Sequence, residues 1–124
     1  MTALPSYDPS QDDLVAAIAA VVVDIPAGGT ERWDAVILFE VATGERWHLS
    51  VSAGVPGVVR GGHPAPTVVV EATPEALREV FLDGRDITHQ FAHGGMRLRA
   101  GDYYDLIFLS RALGRLKREQ GRSR

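Results

Sequence analysis

The chain has 124 residues, of which 45% are hydrophobic and 23% are charged, and it contains no cysteine. This length supports one domain with one core, and the absence of cysteine excludes disulfides, thiolate catalysis and cysteine-ligated metals. No apolar run approaches the roughly 18 residues of a membrane span.

The N-terminal sequence MTALPSYDPSQDD lacks the basic start and apolar centre of a signal peptide. We therefore expect a cytoplasmic protein with a single domain over residues 1–124. Its flexible ends are predicted at residues 1–9 and 118–124.

The net charge of −3 is unevenly distributed. Residues 111–124 carry six Lys or Arg and one Glu, which gives +5, and residues 1–110 carry seven against fifteen acids, which gives −8. An acidic body argues against a nucleic-acid partner, because such interfaces are usually basic. The basic end suits the dipole at the end of a solvated helix, and it also permits weak contact with an anionic membrane.

The first predicted elements are a helix and a hairpin. Ser10 is expected to cap an amphipathic helix over residues 11–23, where apolar residues recur at helical spacing. Residues 35–41 form a predicted buried strand, and residues 46–51 alternate polar and apolar as a half-buried strand does. A glycine turn between them predicts a hairpin.

The remaining elements alternate between strands and helices. A short strand over residues 55–60 contains Pro56 and is therefore expected at the sheet edge. The further elements are a strand over residues 67–72, a helix capped by Thr73, a short helix over residues 86–92, a strand over residues 96–100 and a last helix that Asp102 caps and that runs to about Lys117.

The last helix carries more apolar residues than one stripe requires. The predicted sheet-facing stripe is Tyr103, Leu106, Ile107, Ser110 and Leu113. Tyr104, Phe108 and Leu109 lie outside that stripe, and burying each would contribute roughly 1.5–3 kcal/mol. They must therefore meet a ligand, a neighbouring element or a second subunit.

The order of motifs from Thr67 onward resembles one known family. A short apolar strand leads into Thr-Pro-Glu-Ala-Leu, Asp-Gly follows Phe81-Leu82, and a short helix ends in Phe91 and Gly94. The strand Gly95-Met96-Arg97-Leu98-Arg99, the pair Gly101-Asp102 and an apolar last helix complete the pattern. This order resembles the sterol carrier protein 2 (SCP2) family, in a bacterial single-domain form.

The resemblance implies an α+β fold with about five mostly antiparallel strands and helices on one face, which enclose an apolar cavity. It also implies non-enzymatic binding or carriage of a fatty-acyl, isoprenoid, polyketide or steroid-like molecule, with no cofactor. The shorter, proline-rich segment 55–66 and the absence of a peroxisomal address at the end of the sequence depart from the classical transfer proteins. These departures weaken the case for sterol itself and for a peroxisomal role.

The resemblance also implies which residues line the cavity. The predicted ligand-binding residues are Leu38, Trp47, Leu77, Phe81, Phe91, Met96, Leu98, Tyr103, Tyr104, Leu106, Ile107, Phe108 and Ser110. The tyrosine hydroxyls and Ser110 would be the polar groups that orient a ligand.

Two other function classes stay open from the sequence. Asp102 is a helix cap by position, but beside Tyr103 or Tyr104 it could act as a general acid or base in a small isomerase or cyclase. Alternatively, the apolar last helix pairs with a partner or with itself, so both monomer and homodimer remain. His89 and His93 share a helical face without a neighbouring glutamate, so two surface histidines are favoured over a metal site.

Overall fold

The computed structural model describes residues 13–25, 34–53 and 55–122, which contain five strands and four helices. In chain order they are α1 Leu14–Val22, β1 Ala35–Val41, β2 Arg46–Ser52, β3 Val55–Arg60, β4 Val68–Ala72, α2 Pro74–Phe81, α3 Ile87–His93, β5 Met96–Gly101 and α4 Tyr104–Arg122. The predicted α+β class and the predicted order of elements are confirmed. No helix among these residues has the length and apolarity to cross a membrane.

The strands form one mixed sheet in the order β3-β2-β1-β4-β5. β1 pairs with β4 in parallel, and the other three pairs are antiparallel. β3 lies at an edge, as its proline predicted. Because β4 lies on the far side of β1 from β3, the connection over residues 61–67 must cross β2 and β1.

One face of the sheet packs against the helices. The register sets Phe39 of β1 opposite Trp47 of β2 and Val70 of β4, so these three side chains share a face. All three are fully buried, and they belong to the same core as the apolar residues of the four helices, such as Ile18 and Leu77. The main core therefore lies between this face and the helices.

The crossing segment 61–67 covers part of the other face. Leu38 and His48 are paired across β1 and β2 on that face, and both are buried. The His48 ring donates from Nδ1 to the Gly61 carbonyl oxygen at 3.1 Å, and its centroid lies 5.0 Å from that of His63. The sequence pattern had placed His48 on this outer face correctly.

Short polar side chains cap the N-termini of the first three helices. Thr73 accepts from the Ala76 N–H at 3.1 Å, with Pro74 in the first turn, and Asp86 accepts from the Thr88 N–H at 3.0 Å. The prediction that Ser10 caps the first helix is wrong, because α1 begins at Leu14 with Asp13 as its cap. Asp13 caps as well as serine does, and its carboxylate also pairs with Arg60 of β3. Ser10 itself lies outside the described residues.

The last helix is longer than predicted and turned differently. It continues to Arg122 rather than to about Lys117, because residues 116–120 are strong helix formers. Its buried residues are Leu106, Leu109, Ala112, Leu113 and Leu116. This stripe is rotated by roughly a quarter turn from the predicted one, and Leu109, which was predicted to lie outside it, is fully buried. The leucines of the second half of the helix decide the orientation.

The β5–α4 junction requires a glycine. Gly101 has φ +92°, and a Cβ built there would lie 2.1 Å from the Thr67 carbonyl oxygen. Beyond it, the Asp105 carboxylate accepts from the Thr67 hydroxyl at 3.1 Å, and that hydroxyl in turn accepts from the Val36 N–H at 3.0 Å. The start of α4 is thereby attached to β1 and β4.

Candidate functional site

Three aromatic side chains fill the centre of the space between the sheet and the helices. The rings of Phe39 and Trp47 are stacked with centroids 4.4 Å apart, and the ring of Phe81, at the end of α2, contacts them edge-on at 6.0 and 5.8 Å. We call Phe39, Trp47 and Phe81 the aromatic cluster. These three side chains lie in the layer between the sheet and the helices, where the sequence resemblance implied a cavity.

The cluster contains a buried polar atom without a partner. Trp47 has an exposed fraction of 0%, and its Nε1 makes no hydrogen bond within the part of the chain that the structure describes. An unpaired buried N–H group destabilises a protein by about 1–3 kcal/mol. Sequence reasoning predicted Trp47 as an apolar wall residue and missed this donor, because the pairing of an indole depends on its neighbours in space.

Most of the predicted wall residues do belong to this core. Trp47, Leu77, Phe81, Met96 and Leu106 are buried in it, and Phe91, Leu98 and Tyr103 pack half-buried against it.

Tyr103 packs half-buried against this core. Its ring meets that of Phe91 edge-on at 5.3 Å. Burial, followed by the negative charge of Asp86, raises the pKa of Tyr103, so this hydroxyl stays neutral and can donate a hydrogen bond near neutral pH.

Three predicted wall residues do not face the interior. Leu38 lies on the opposite face of the sheet. Successive side chains of a strand point to opposite faces, and its neighbour Phe39 points toward the helices. Tyr104 and Phe108 lie on the outer side of α4, where they are 66% and 42% exposed. Their placement follows from the rotation of α4 that buries Leu109.

A groove lies between α4 and the α2–α3 turn. Its volume is about 190 Å³, and Val80, Gly84, Arg85, Asp86, Ser110, Leu113 and Gly114 line it. Val80 and Leu113 are buried core residues, so the bottom of the groove is apolar. Its rim is polar, with the Ser110 hydroxyl 3.5 Å from a carboxylate oxygen of Asp86. Ile107 and Ser110, the other predicted wall residues of α4, are half-buried.

A larger depression lies at the carboxyl-terminal ends of β1 and β4. Its volume is about 400 Å³, and Glu40, Glu71 and Arg97 are among its lining residues. Arg99 Nη1 lies 2.7 Å from a carboxylate oxygen of Glu40, and Arg97 Nη2 lies 3.2 Å from one of Glu71. Because its acids and arginines pair with one another, this depression offers no uncompensated charge to a ligand.

Solved structures of known proteins share this architecture. The palmitated SCP2L2 protein of Aedes aegypti superposes with a TM-score of 0.64 at 19% identity, covering 81% of this chain and 90% of that one. The chain has the SCP2 fold. The sterol carrier protein domain 2 of Helicoverpa armigera matches this fold with a TM-score of 0.57 at 16% identity, covering 81% and 84% of the two chains.

The SCP2 fold of this chain also matches one part of a larger enzyme. The sec-alkylsulfatase Pisa1 of a Pseudomonas species superposes with a TM-score of 0.65 at 17% identity, over 74% of this chain and 15% of that one. No protein-family model and no curated protein sequence matches the chain. At these identities the comparisons confirm the predicted SCP2 resemblance at the level of the fold.

Asp102 performs the capping role that the sequence predicted. Its carboxylate accepts from the Tyr104 N–H at 2.9 Å, at the start of the last helix of the SCP2 fold. Asp102 is exposed. The geometry therefore assigns Asp102 a structural contact and gives no support to its alternative role as a general acid or base.

The histidines form two pairs, one between the buried His48 and the half-buried His63 and one between His89 and His93. His89 and His93, both exposed on α3, have ring centroids 4.2 Å apart. Among residues 13–25, 34–53 and 55–122 no group of three or more His, Asp or Glu side chains is arranged to hold a metal ion.

Proposed function

We propose that the protein binds a hydrophobic small molecule between the sheet and the helices and carries it without chemical change. The observation that carries the proposal is the SCP2 fold, which the chain shares with a structure described as palmitated SCP2L2. The composition of the interior agrees with it, because both layers present apolar side chains to this space. Binding would then be driven by the removal of apolar ligand surface from water.

The groove beside α4 is the proposed entrance. Its apolar bottom includes Val80, which directly precedes Phe81 of the aromatic cluster. Phe81 is the last residue of α2, and a change of its side-chain rotamer requires no change in the backbone hydrogen bonds of the helix. An aliphatic chain that enters here displaces this ring and packs against Trp47 and Leu77.

The polar rim of the groove offers hydrogen-bonding groups to the polar end of such a ligand while it passes into the interior. Arg85, Asp86 and Ser110 offer a cation, an anion and a hydroxyl group within one short stretch of surface. A fatty-acyl, isoprenoid, polyketide or steroid-like molecule combines an apolar body with such a polar end. Among these classes a single acyl chain is the narrowest, and palmitate is therefore the first probe.

The experiment has two steps. Native mass spectrometry of gently purified protein, followed by solvent extraction, identifies any molecule that copurifies. Palmitate binding is then measured by calorimetry for the wild type, for Phe91→Asp and for Val55→Asp. We expect Phe91→Asp to lose binding, because it sets a charge beside Tyr103 at the edge of the core. Val55→Asp should bind normally, since Val55 is exposed on the edge strand.

Two results would count against the proposal. A clean apo mass, together with no uptake of palmitate or cholesterol by the folded wild type, would show that the aromatic cluster is a permanent core. Normal palmitate binding by a folded Phe91→Asp variant would instead reject the interior placement.

We also propose that α4 contacts an anionic membrane surface during loading or release. Tyr104, Phe108, Arg111 and Arg115 fall within one narrow arc of the helix, opposite its buried leucines. Exposed aromatic rings beside arginines suit the boundary between lipid headgroups and acyl chains, and each arginine near an anionic surface contributes about 1 kcal/mol.

Cosedimentation with vesicles tests this contact. We expect more protein to bind vesicles of phosphatidylcholine and phosphatidylglycerol than vesicles of phosphatidylcholine alone. The double substitution Arg111→Ala and Arg115→Ala should abolish the difference, and Arg97→Ala, which removes an exposed arginine from β5, should not. Equal binding of the wild type to both vesicle types would reject the contact.

A further inference from the structure

We infer that the indole N–H of Trp47 is the hydrogen-bond donor for a neutral carbonyl group of the bound molecule. The inference rests on the proposed function and narrows its ligand to an ester, ketone, aldehyde or protonated acid. The observation behind it is the fully buried Nε1 that has no partner among the described residues.

The surroundings of Trp47 explain why its donor is unused. The stacked ring of Phe39 and the edge-on ring of Phe81 are hydrocarbon and offer no acceptor oxygen. On the sheet, Trp47 lies between Phe39 of β1 and Arg60 of β3. Arg60 is also a donor, and it pairs with Asp13 and Glu45. None of these three side chains carries an acceptor atom for the indole N–H group.

A tryptophan at this position carries a cost that phenylalanine would avoid. Buried indole N–H groups normally find a partner, and the remainder of this core is built from aliphatic and phenyl side chains. An acceptor supplied by a bound molecule would pair the N–H and remove the cost. Without a ligand, the core then contains one unpaired N–H donor, and the ligand supplies the acceptor for it.

The absence of a compensating charge near Trp47 decides which kind of acceptor group can be buried there. Indole donates and does not accept, so the ligand group must bring an oxygen lone pair. A carboxylate would be buried beside Phe39 and Phe81, with the nearest paired guanidinium, Arg60, already held by two acids. Burying an uncompensated charge is strongly unfavourable. A neutral carbonyl group satisfies the donor without that penalty.

Methyl decanoate and dodecane test the inference with the intact protein. The two molecules have chains of similar length, and only the ester carries a carbonyl oxygen. We expect the wild type to bind methyl decanoate roughly tenfold more tightly than dodecane, as one buried hydrogen bond allows. Decanoate at neutral pH should bind more weakly than its methyl ester.

The indole signal reports the contact directly. In ¹⁵N-labelled protein, the Trp47 Nε1–H resonance should move downfield on addition of methyl decanoate and should not do so with dodecane. The variant Trp47→Phe assigns the resonance, and it should bind methyl decanoate more weakly than the wild type does, because the ester carbonyl then has no donor, while its affinity for dodecane should change little. The wild-type measurements require no variant, so a failure of Trp47→Phe to fold leaves the test intact.

The outcomes separate this inference from the proposed function. If the wild type binds methyl decanoate and dodecane equally, with no movement of the Trp47 resonance, the inference is wrong and the interior site stands. If decanoate binds more tightly than the ester, the neutral-carbonyl class is wrong. If the folded wild type binds none of these molecules and no palmitate, the proposed function itself fails.

Discussion

Replacing Gly101 with alanine tests the close contact that joins β5 to α4. Two penalties act at this position. Its backbone has φ +92°, and a Cβ there would lie 2.1 Å from the Thr67 carbonyl oxygen and 2.7 Å from the Val68 Cα. Gly44→Ala is a matched control, because Gly44 has φ +99° and nothing lies within 4 Å of its built Cβ.

The magnitudes follow from these distances. The left-handed backbone alone costs an alanine roughly 1–2 kcal/mol, and we expect that loss for Gly44→Ala. At Gly101 the atoms in collision are backbone atoms, so β4 and β5 must separate by about 1 Å to reach an ordinary contact distance. The separation weakens the Val68–Gly101 end of the ladder, and the total loss should reach about 3 kcal/mol or more.

Urea unfolding followed by circular dichroism measures both variants on the same scale. Stabilities of domains this size are about 5–15 kcal/mol, so a 3 kcal/mol loss, as estimated above, moves the midpoint clearly while the protein still folds. Equal losses for Gly101→Ala and Gly44→Ala would show that the β4–β5 contact at Thr67 is looser than the structure describes. That result would also remove the physical reason for a glycine before Asp102.

Three other predictions test the remaining structure. Leu109→Ala should lower the free energy of unfolding by about 2–5 kcal/mol, whereas Tyr104→Ala should change it by less than about 0.5 kcal/mol; similar losses in urea melts would contradict the orientation of α4. Thr73→Ala removes the cap of α2 and should cost about 1 kcal/mol, and Thr73→Ser should restore it. Hydrogen bonds from the Thr88 N–H and hydroxyl, followed by one from Ser110, lower the pKa of Asp86 below its usual 3.8. Ionised Asp86 therefore stabilises the fold above pH 3.8. This contribution is lost as the pH falls through the lowered pKa of Asp86 in the folded protein. Acid unfolding of Asp86→Asn should accordingly be less steep below about pH 4, and an unchanged profile would reject this role.

The fold could be predicted because its determinants are local in the sequence. Alternation along β1 and β2, a proline in β3 and the Thr73-Pro74 start of α2 each follow from backbone preferences over a few residues. The resemblance then supplied what local patterns lack, the arrangement of strands in space. The parallel β1–β4 pair is such a feature, since it depends on where residues 61–67 cross the sheet.

The side-chain arrangement of the site could be predicted only in part. On α4 almost every residue from 103 to 109 is apolar, so periodicity left its orientation undetermined. Leu109 and Phe108 are adjacent in the sequence and chemically similar, yet one is buried and the other is not. What separates them is the position of Leu113 and Leu116 one and two turns later, which only the packed helix reveals.

The filled interior is compatible with ligand binding on energetic grounds. Displacing the ring of Phe81 costs at most as much free energy as truncating the side chain would, which is about 3–5 kcal/mol for a buried phenylalanine. Each buried methylene of an aliphatic ligand returns about 0.8 kcal/mol, so roughly ten of them contribute about 8 kcal/mol. Rotation of Phe81 also uncovers part of the Trp47 ring, whose centroid lies 5.8 Å from that of Phe81. The same movement that admits an acyl chain would therefore bring the unpaired indole N–H within reach of its carbonyl group.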